Sequence, residues 1–365
     1  MSFLYKVDVP CAVSSLAFSE DGALFVGGED GTVRLYSQSS TKVARAITSL
    51  GEEISSICCS RSKGRQPGQW YFASGTRIVR FDQTPEKMIL TPKDATGAFS
   101  IGEDDEDVLN QINLSYDGNY LAFSTDNGAA GVVELSTGQV SRMNTHHTSI
   151  CGSINFIPDR PSELVSGGYD CKLLHHDFQQ RTLLSDLDVA SASGASDEPG
   201  LQLSPPFVLS TAITSTGMFA AGTANGMLFI GTGGEKCPDG HVKKKRRRKW
   251  EGLVDTEGTW IKVAEGPVVA TAFFDPHQVV TCTLLGEVKH IFIEHQDAQN
   301  ESSPTVSCSV RWTSRTENIT KINALIITGD KMAVGGLTRD GKGVVELWDM
   351  GAEAIARRIA TEHTS

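Results

Sequence analysis

The chain has 365 residues, 39% of them hydrophobic and 21% charged, with a formal net charge of −11 at pH 7. That composition is ordinary for a soluble globular protein. No apolar run approaches the roughly 20 residues needed to span a bilayer, and the opening MSFLYKVDVP lacks the basic start and long apolar core of a secretory signal. The eight cysteines form no CxxC pair, so buried thiols in a reducing compartment are expected rather than a disulfide framework.

Phe3–Val9 alternates and reads as a strand. From Val13 onward one pattern recurs: an apolar first strand, a turn such as Glu20-Asp21-Gly22, a second strand of small residues such as Val26-Gly27-Gly28, another turn and a third strand. Copies start at Val13, Ile54, Val108, Ile150, Val208, Val268 and Ile322. The copy at Ile150 is the clearest, with Pro158-Asp159-Arg160-Pro161 in its first gap and Gly167-Gly168-Tyr169-Asp170 in its second, both suited to tight turns. The shorter spacings, 41 and 42 residues, match one four-stranded blade. Longer spacings imply insertions, placed at about 91–107, 185–206, 233–257 and 294–307. Fourth strands are predicted at Val43–Thr48, Lys87–Leu90, Val140–Asn144, Thr182–Leu187, Thr259–Val263 and Val310–Thr313. The last copy ends at Asp349 with only three strands, so the N-terminal strand is expected to supply its fourth.

This pattern resembles the WD-repeat family. The resemblance implies an all-β, seven-bladed WD-type β-propeller over residues 1–350, with the N-terminal strand closing the last blade and a tail, helical in composition, over 351–365. Trp348-Asp349 is the single true WD dipeptide; other copies carry Leu35-Tyr36, Phe81-Asp82 and His176-Asp177 in that slot. In the family, a His before the first strand and an Asp in the second turn brace a blade; here the fourth blade alone offers both, as His147 and Asp170. A structural role is therefore expected for His147, Asp170, Trp348 and Asp349.

The segments leading into the first strands carry carboxylates: Glu52, Glu53, Glu103, Asp104, Asp105, Glu106, Asp107, Glu265 and Glu317. The insertion 185–206 adds Asp186, Asp188, Asp197 and Glu198. In a propeller such segments share one face, and the expected result is a negative field suited to a basic partner protein, histone-like or ribosomal-protein-like. The run Lys243, Lys244, Lys245, Arg246, Arg247, Arg248 and Lys249 stands apart in this acidic chain. It reads as a nuclear import signal or a polyanion patch and points to nucleus and cytoplasm.

No phosphate loop, GxSxG elbow or HExxH is present. Neighbouring residues on a strand face opposite ways, so His146-His147 and His175-His176 do not chelate one ion. No catalytic residue, metal or cofactor is expected. The primary reading is a non-enzymatic interaction scaffold, a monomeric subunit of a larger assembly with no membrane partner. The family resemblance also implies a second reading, a substrate receptor of a cullin–RING ubiquitin ligase, although the W-D-x-R pattern of such receptors is absent: Met350-Gly351 follows Trp348-Asp349. An RNA-binding propeller using Lys243–Lys249 with Trp250 is the weakest alternative.

Overall fold

The computed structural model describes residues 1–62, 67–83, 87–192, 204–234, 249–295 and 306–351. The predicted helical tail, Asp197 and Glu198, and the cations from Lys243 to Arg248 lie outside them. Among the described residues the structure is seven sheets, antiparallel except for one short parallel pair, and two short 3-10 turns. Each sheet is one blade of the expected seven-bladed β-propeller, its first three strands following one another in chain order. The chain divides into two compact units, residues 1–98 with 315–365, and residues 99–314.

The first unit holds blades seven, one and two. Blade seven is Lys321–Thr328, Lys331–Leu337 and Gly343–Asp349, completed by Ser2–Val9. The N-terminal strand pairs antiparallel with Gly343–Asp349 from Ser2 opposite Asp349 to Val9 opposite Gly343. Alternation explains the fit: Val7 and Val9 turn inward to Leu347, Val345 and blade one, while Lys6 and Asp8 face water. Blade one starts at Val13–Phe18; blade two is Ile54–Cys59, Gln69–Ser74 and Arg77–Asp82 with Gly97–Ser100 on its outer edge. Blades one and two share a core of Phe25, Trp70, Phe72 and Phe81, in which Trp70 meets Phe25 edge-on at 5.1 Å.

Two expectations fail in blade two. The predicted fourth strand Lys87–Leu90 is not part of it: Ile89–Leu90 instead runs parallel to Val43–Ile47 as a fifth strand of blade one. The 3-10 turn Pro92–Asp94 then redirects the chain, and the true outer strand, Gly97–Ser100, lies inside the segment 91–107 that spacing had assigned to an insertion. Thr91 and Asp94 form a capping box that fixes this turn. The 185–206 insertion likewise begins late, because the fourth strand of blade four runs from Thr182 to Asp188.

The second unit holds blades three to six. Their shared cores are Ile154, Phe156 and Phe178 with Ala122 and Val132, then Val165, Leu173, Phe219 and Trp250, then Val279 and Ile291 with Leu228 and Ile230. Each large side chain so buried is worth about 1.5–3 kcal/mol, which is why degenerate repeats still hold.

Within both units a second device joins the blades. A polar side chain near the start of one first strand reaches the backbone of the next. Asn323 Nδ2 donates to the Val13 carbonyl at 2.9 Å, and Ser15 Oγ to the Ile54 carbonyl at 2.5 Å. In the second unit Asn110 Nδ2 donates to the Cys151 carbonyl at 3.2 Å and Ser210 Oγ to the Val268 carbonyl at 3.2 Å; near the end of its strand, Asn155 Nδ2 donates to the Thr211 side chain, Oγ1, at 2.8 Å. These bonds fix the register between neighbours that share no β ladder.

Candidate functional site: the brace of blade four and the acidic loops

The loop before blade four puts His147 under the second turn of the same blade. Its Nδ1 lies 2.8 Å from Asp170 Oδ1 and its Nε2 2.9 Å from Ser166 Oγ. Asp170 also accepts the N–H of Thr148 at 3.0 Å and of Lys172 at 3.2 Å. Burial alone would raise the Asp170 carboxyl; the bond from His147, with those N–H groups, outweighs it and holds the group below its usual value. The approach needs Gly168, where a Cβ would stand 2.3 Å from His147 Nδ1.

The order Asp170, His147, Ser166 has the connectivity of a hydrolytic triad. Ser166, however, is fully buried inside the sheet, paired with Ile154 on one side and Leu174 on the other. No substrate carbonyl reaches it, and the three residues tie a loop to a turn. Replacing His147 with Ala strands the Asp170 carboxylate and is expected to cost about 2–4 kcal/mol. Urea unfolding of His147→Ala against the parent checks this, and a loss below 0.5 kcal/mol, on the order of a surface change, would mean that the brace contributes nothing.

His175 and His176 point to opposite sides of their strand. His175 bonds Ser185 Oγ at 3.1 Å and Glu163 Oε2 at 3.0 Å, and its ring meets Trp250 edge-on at 4.9 Å. His176 is fully buried, and neither ring nitrogen meets a hydrogen-bond partner among the described residues. Burial, then the nearby His147 and His175, push it down to about 3.

Trp250 donates from Nε1 to the Gly217 carbonyl at 2.9 Å and packs edge-on against Phe219. It is buried and offers no face to a nucleic-acid base, which removes the stacking surface that the RNA reading relied on. Trp348 is also buried, with Phe3 edge-on at 5.6 Å, and Asp349 Oδ1 accepts the Gly351 N–H at 2.8 Å.

The carboxylates sort into two groups. In the first unit Glu52, Glu53 and Glu317 are exposed. Glu53 is raised above the usual carboxylate range by desolvation and then by Glu29, against the pull of Lys321. In the second unit Glu103, Asp104, Asp105, Glu106 and Glu265 are exposed. Arg142 Nε lies 3.6 Å from Glu103 Oε1, and Lys262 Nζ 3.7 Å from Glu265 Oε2. Asp107 behaves differently: it is fully buried and accepts the N–H of Glu103 and of Asn127, each at 3.1 Å. Its carboxylate folds the loop and is not displayed. Asp186 and Asp188 are exposed, and so is Lys249.

A buried acid outside the predicted set completes the picture. Glu346 Oε1 accepts the N–H of Glu317 at 3.0 Å and of Asn318 at 2.7 Å, so blade seven holds its leading loop with a carboxylate on the third strand. Nothing in a lone Glu between Val345 and Leu347 distinguishes it in sequence from a solvated strand position.

The WD domain, G-beta repeat family matches residues 3–37, the N-terminal strand and the first three strands of blade one. The chain is also similar to the WD repeat-containing protein 53 homolog of Dictyostelium discoideum, 24% identical over 210 residues, which is 53% of this chain and 54% of that relative. The fold is that of a WD-type β-propeller. The match thus spans about half the length of the relative. WD-repeat proteins are in general protein-interaction scaffolds, and no helix among the described residues is long and apolar enough to cross a membrane.

Proposed function

We propose that this chain is a non-enzymatic scaffold whose acidic loops bind a basic partner protein of histone or ribosomal-protein type, in nucleus and cytoplasm. One observation carries the reading. Among the described residues no cation lies within ion-pair distance of Glu52, Glu53, Asp104, Asp105, Glu106 or Glu317, although other exposed acids, such as Asp30, Glu294 and Asp340, have one. The repulsion between Glu29 and Glu53 outweighs the pull of Lys321, and a partner's lysines and arginines would relieve it. The cations from Lys243 to Arg248 support import to the nucleus by composition alone. No residue favours the ligase-receptor reading: after Trp348-Asp349 come the buried Met350 and then Gly351, where the W-D-x-R pattern would put an arginine.

The test is binding of a purified core histone at low and moderate salt. Replacing Glu52, Glu53, Glu103, Asp104, Asp105 and Glu106 with the corresponding amides, and leaving the structural Asp107 intact, is expected to weaken binding about tenfold or more at low salt. The wild-type affinity should fall steeply as salt rises. A variant that binds as the parent does would make these loops plain solvated surface.

A further inference from the structure

Beside the 103–107 loop, three consecutive blades of the second unit build a small half-buried site. Asp107 ties that loop to the second turn of blade three by accepting the Asn127 N–H. The residue before Asn127, Asp126, is held by Asn110, whose Nδ2 donates to Asp126 Oδ1 at 3.0 Å and also to the Cys151 carbonyl. Asp126 Oδ2 accepts no hydrogen bond from any described residue, and no cation among them pairs with this carboxylate. From blade four, Tyr169 lies over Gly152, where a Cβ would stand 3.1 Å from its ring. From the lead-in to blade five, Phe207 stacks on Tyr169 with ring centroids 5.7 Å apart and planes 13° from parallel. Both rings are half-buried, and neither belongs to the cores described above between blades three and four and between blades four and five. Burial, and then the charge of Asp126, raise the Tyr169 hydroxyl above its usual value.

Asn110 thus links Asp126 to the Cys151 carbonyl, next to the Gly152 that Tyr169 covers, so that a carboxylate and an aromatic pair lie on neighbouring turns and together are complementary to one kind of side chain. We propose that this site takes a single lysine of the basic partner, its ammonium at Asp126 Oδ2 and its methylene stem along Tyr169 and Phe207. Lysine fits better than arginine because Asn110 already occupies Oδ1. One free oxygen suits a compact ammonium, whereas a guanidinium fork wants both. The long apolar stem of lysine covers ring surface that water now touches. This assignment rests on the basic-partner reading above and deepens it.

The experiment uses the full chain and two fluorescent 15-residue peptides of equal charge, one with lysine and one with arginine at every basic position, read by anisotropy. Asp126→Asn and Tyr169→Leu are expected to weaken the lysine peptide by about 5- to 30-fold, with melting curves close to the parent. Tyr169→Leu keeps the apolar bulk and removes the π face, so a loss there does not report packing alone. The six-fold amide variant should weaken both peptides. If it does so while Asp126→Asn and Tyr169→Leu bind the lysine peptide as the parent does, the lysine site is overturned and the acidic scaffold stands. If the two single variants weaken both peptides equally, the preference for lysine is wrong. If the parent binds neither peptide, the scaffold reading and the site fall together.

Discussion

Deleting residues 2–9 is expected to lower the melting temperature by roughly 5–10 °C. The strand is the outermost of blade seven and pairs along the whole of Gly343–Asp349. Its removal exposes the apolar surface now covered by Val7 and Val9, which are 1% and 2% exposed, and takes Phe3 from Trp348. Two buried valines and one aromatic contact are worth about 5 kcal/mol. The deletion also leaves Gly343–Asp349 as an unpaired edge, with aggregation on heating as its signature. Val7→Asp provides an independent reading: it keeps the strand and buries a charge, at a cost of about 3 kcal/mol or more. A deletion variant that melts with the parent would show that the blade holds on three strands.

Acid should unfold this protein in two stages, and His176 sets the first. Its folded value of about 3 lies below the 6.5 of an exposed histidine. A depressed histidine takes up its proton more readily in the unfolded chain, so the stability it permits is complete above about pH 6.5 and falls as pH drops toward 3. Linkage puts the loss at about 2 kcal/mol between pH 8 and pH 5, and about 4 kcal/mol by pH 3. Asp170 acts later. Its folded value is held below the usual 3.8, so its contribution is present above that and goes only as pH falls further. His176→Leu separates the two, since it removes the first stage and leaves the second. It should also stabilise the protein at pH 8, because two buried nitrogens without partners disappear. Urea unfolding at pH 8, 6.5 and 5 decides the matter: parallel pH profiles for parent and variant would show that the ring finds a proton partner after all.

Blade number and strand order were legible in the sequence because a propeller repeats its chemistry. An apolar first strand, an acidic-glycine turn and a small-residue second strand recur often enough to survive the loss of most Trp-Asp signatures. The stretch Met88–Ser100 was not legible. Two-residue strands carry no periodicity, and Ile89-Leu90 resembles any apolar strand end, so only tertiary pairing shows that it joins blade one. The polar clasps between first strands were visible as Ser14-Ser15, Asn110, Ser210 and Asn323, yet a polar residue in an apolar strand reads as edge exposure until the neighbouring carbonyl is seen. The acidic set was legible as composition and not as role. Nothing in Glu103–Asp107 singles out Asp107 as the one carboxylate turned inward. Tyr169 and Phe207 are separated by 38 positions in sequence, and the stack between them depends on how blades four and five meet.

The pairing of Val9 with Gly343 has a consequence for how the protein is made. Of the strands described, Ser2–Val9 is made before all the others and pairs with the one made last. At roughly 5–20 residues per second, the wait is on the order of 20–70 s. Throughout that time Phe3, Leu4, Tyr5, Val7 and Val9 travel as a free segment of strand-forming, partly apolar chain. Synthesis therefore holds this strand open to chaperones, or to the wrong edge, far longer than any strand that pairs with its neighbour in sequence.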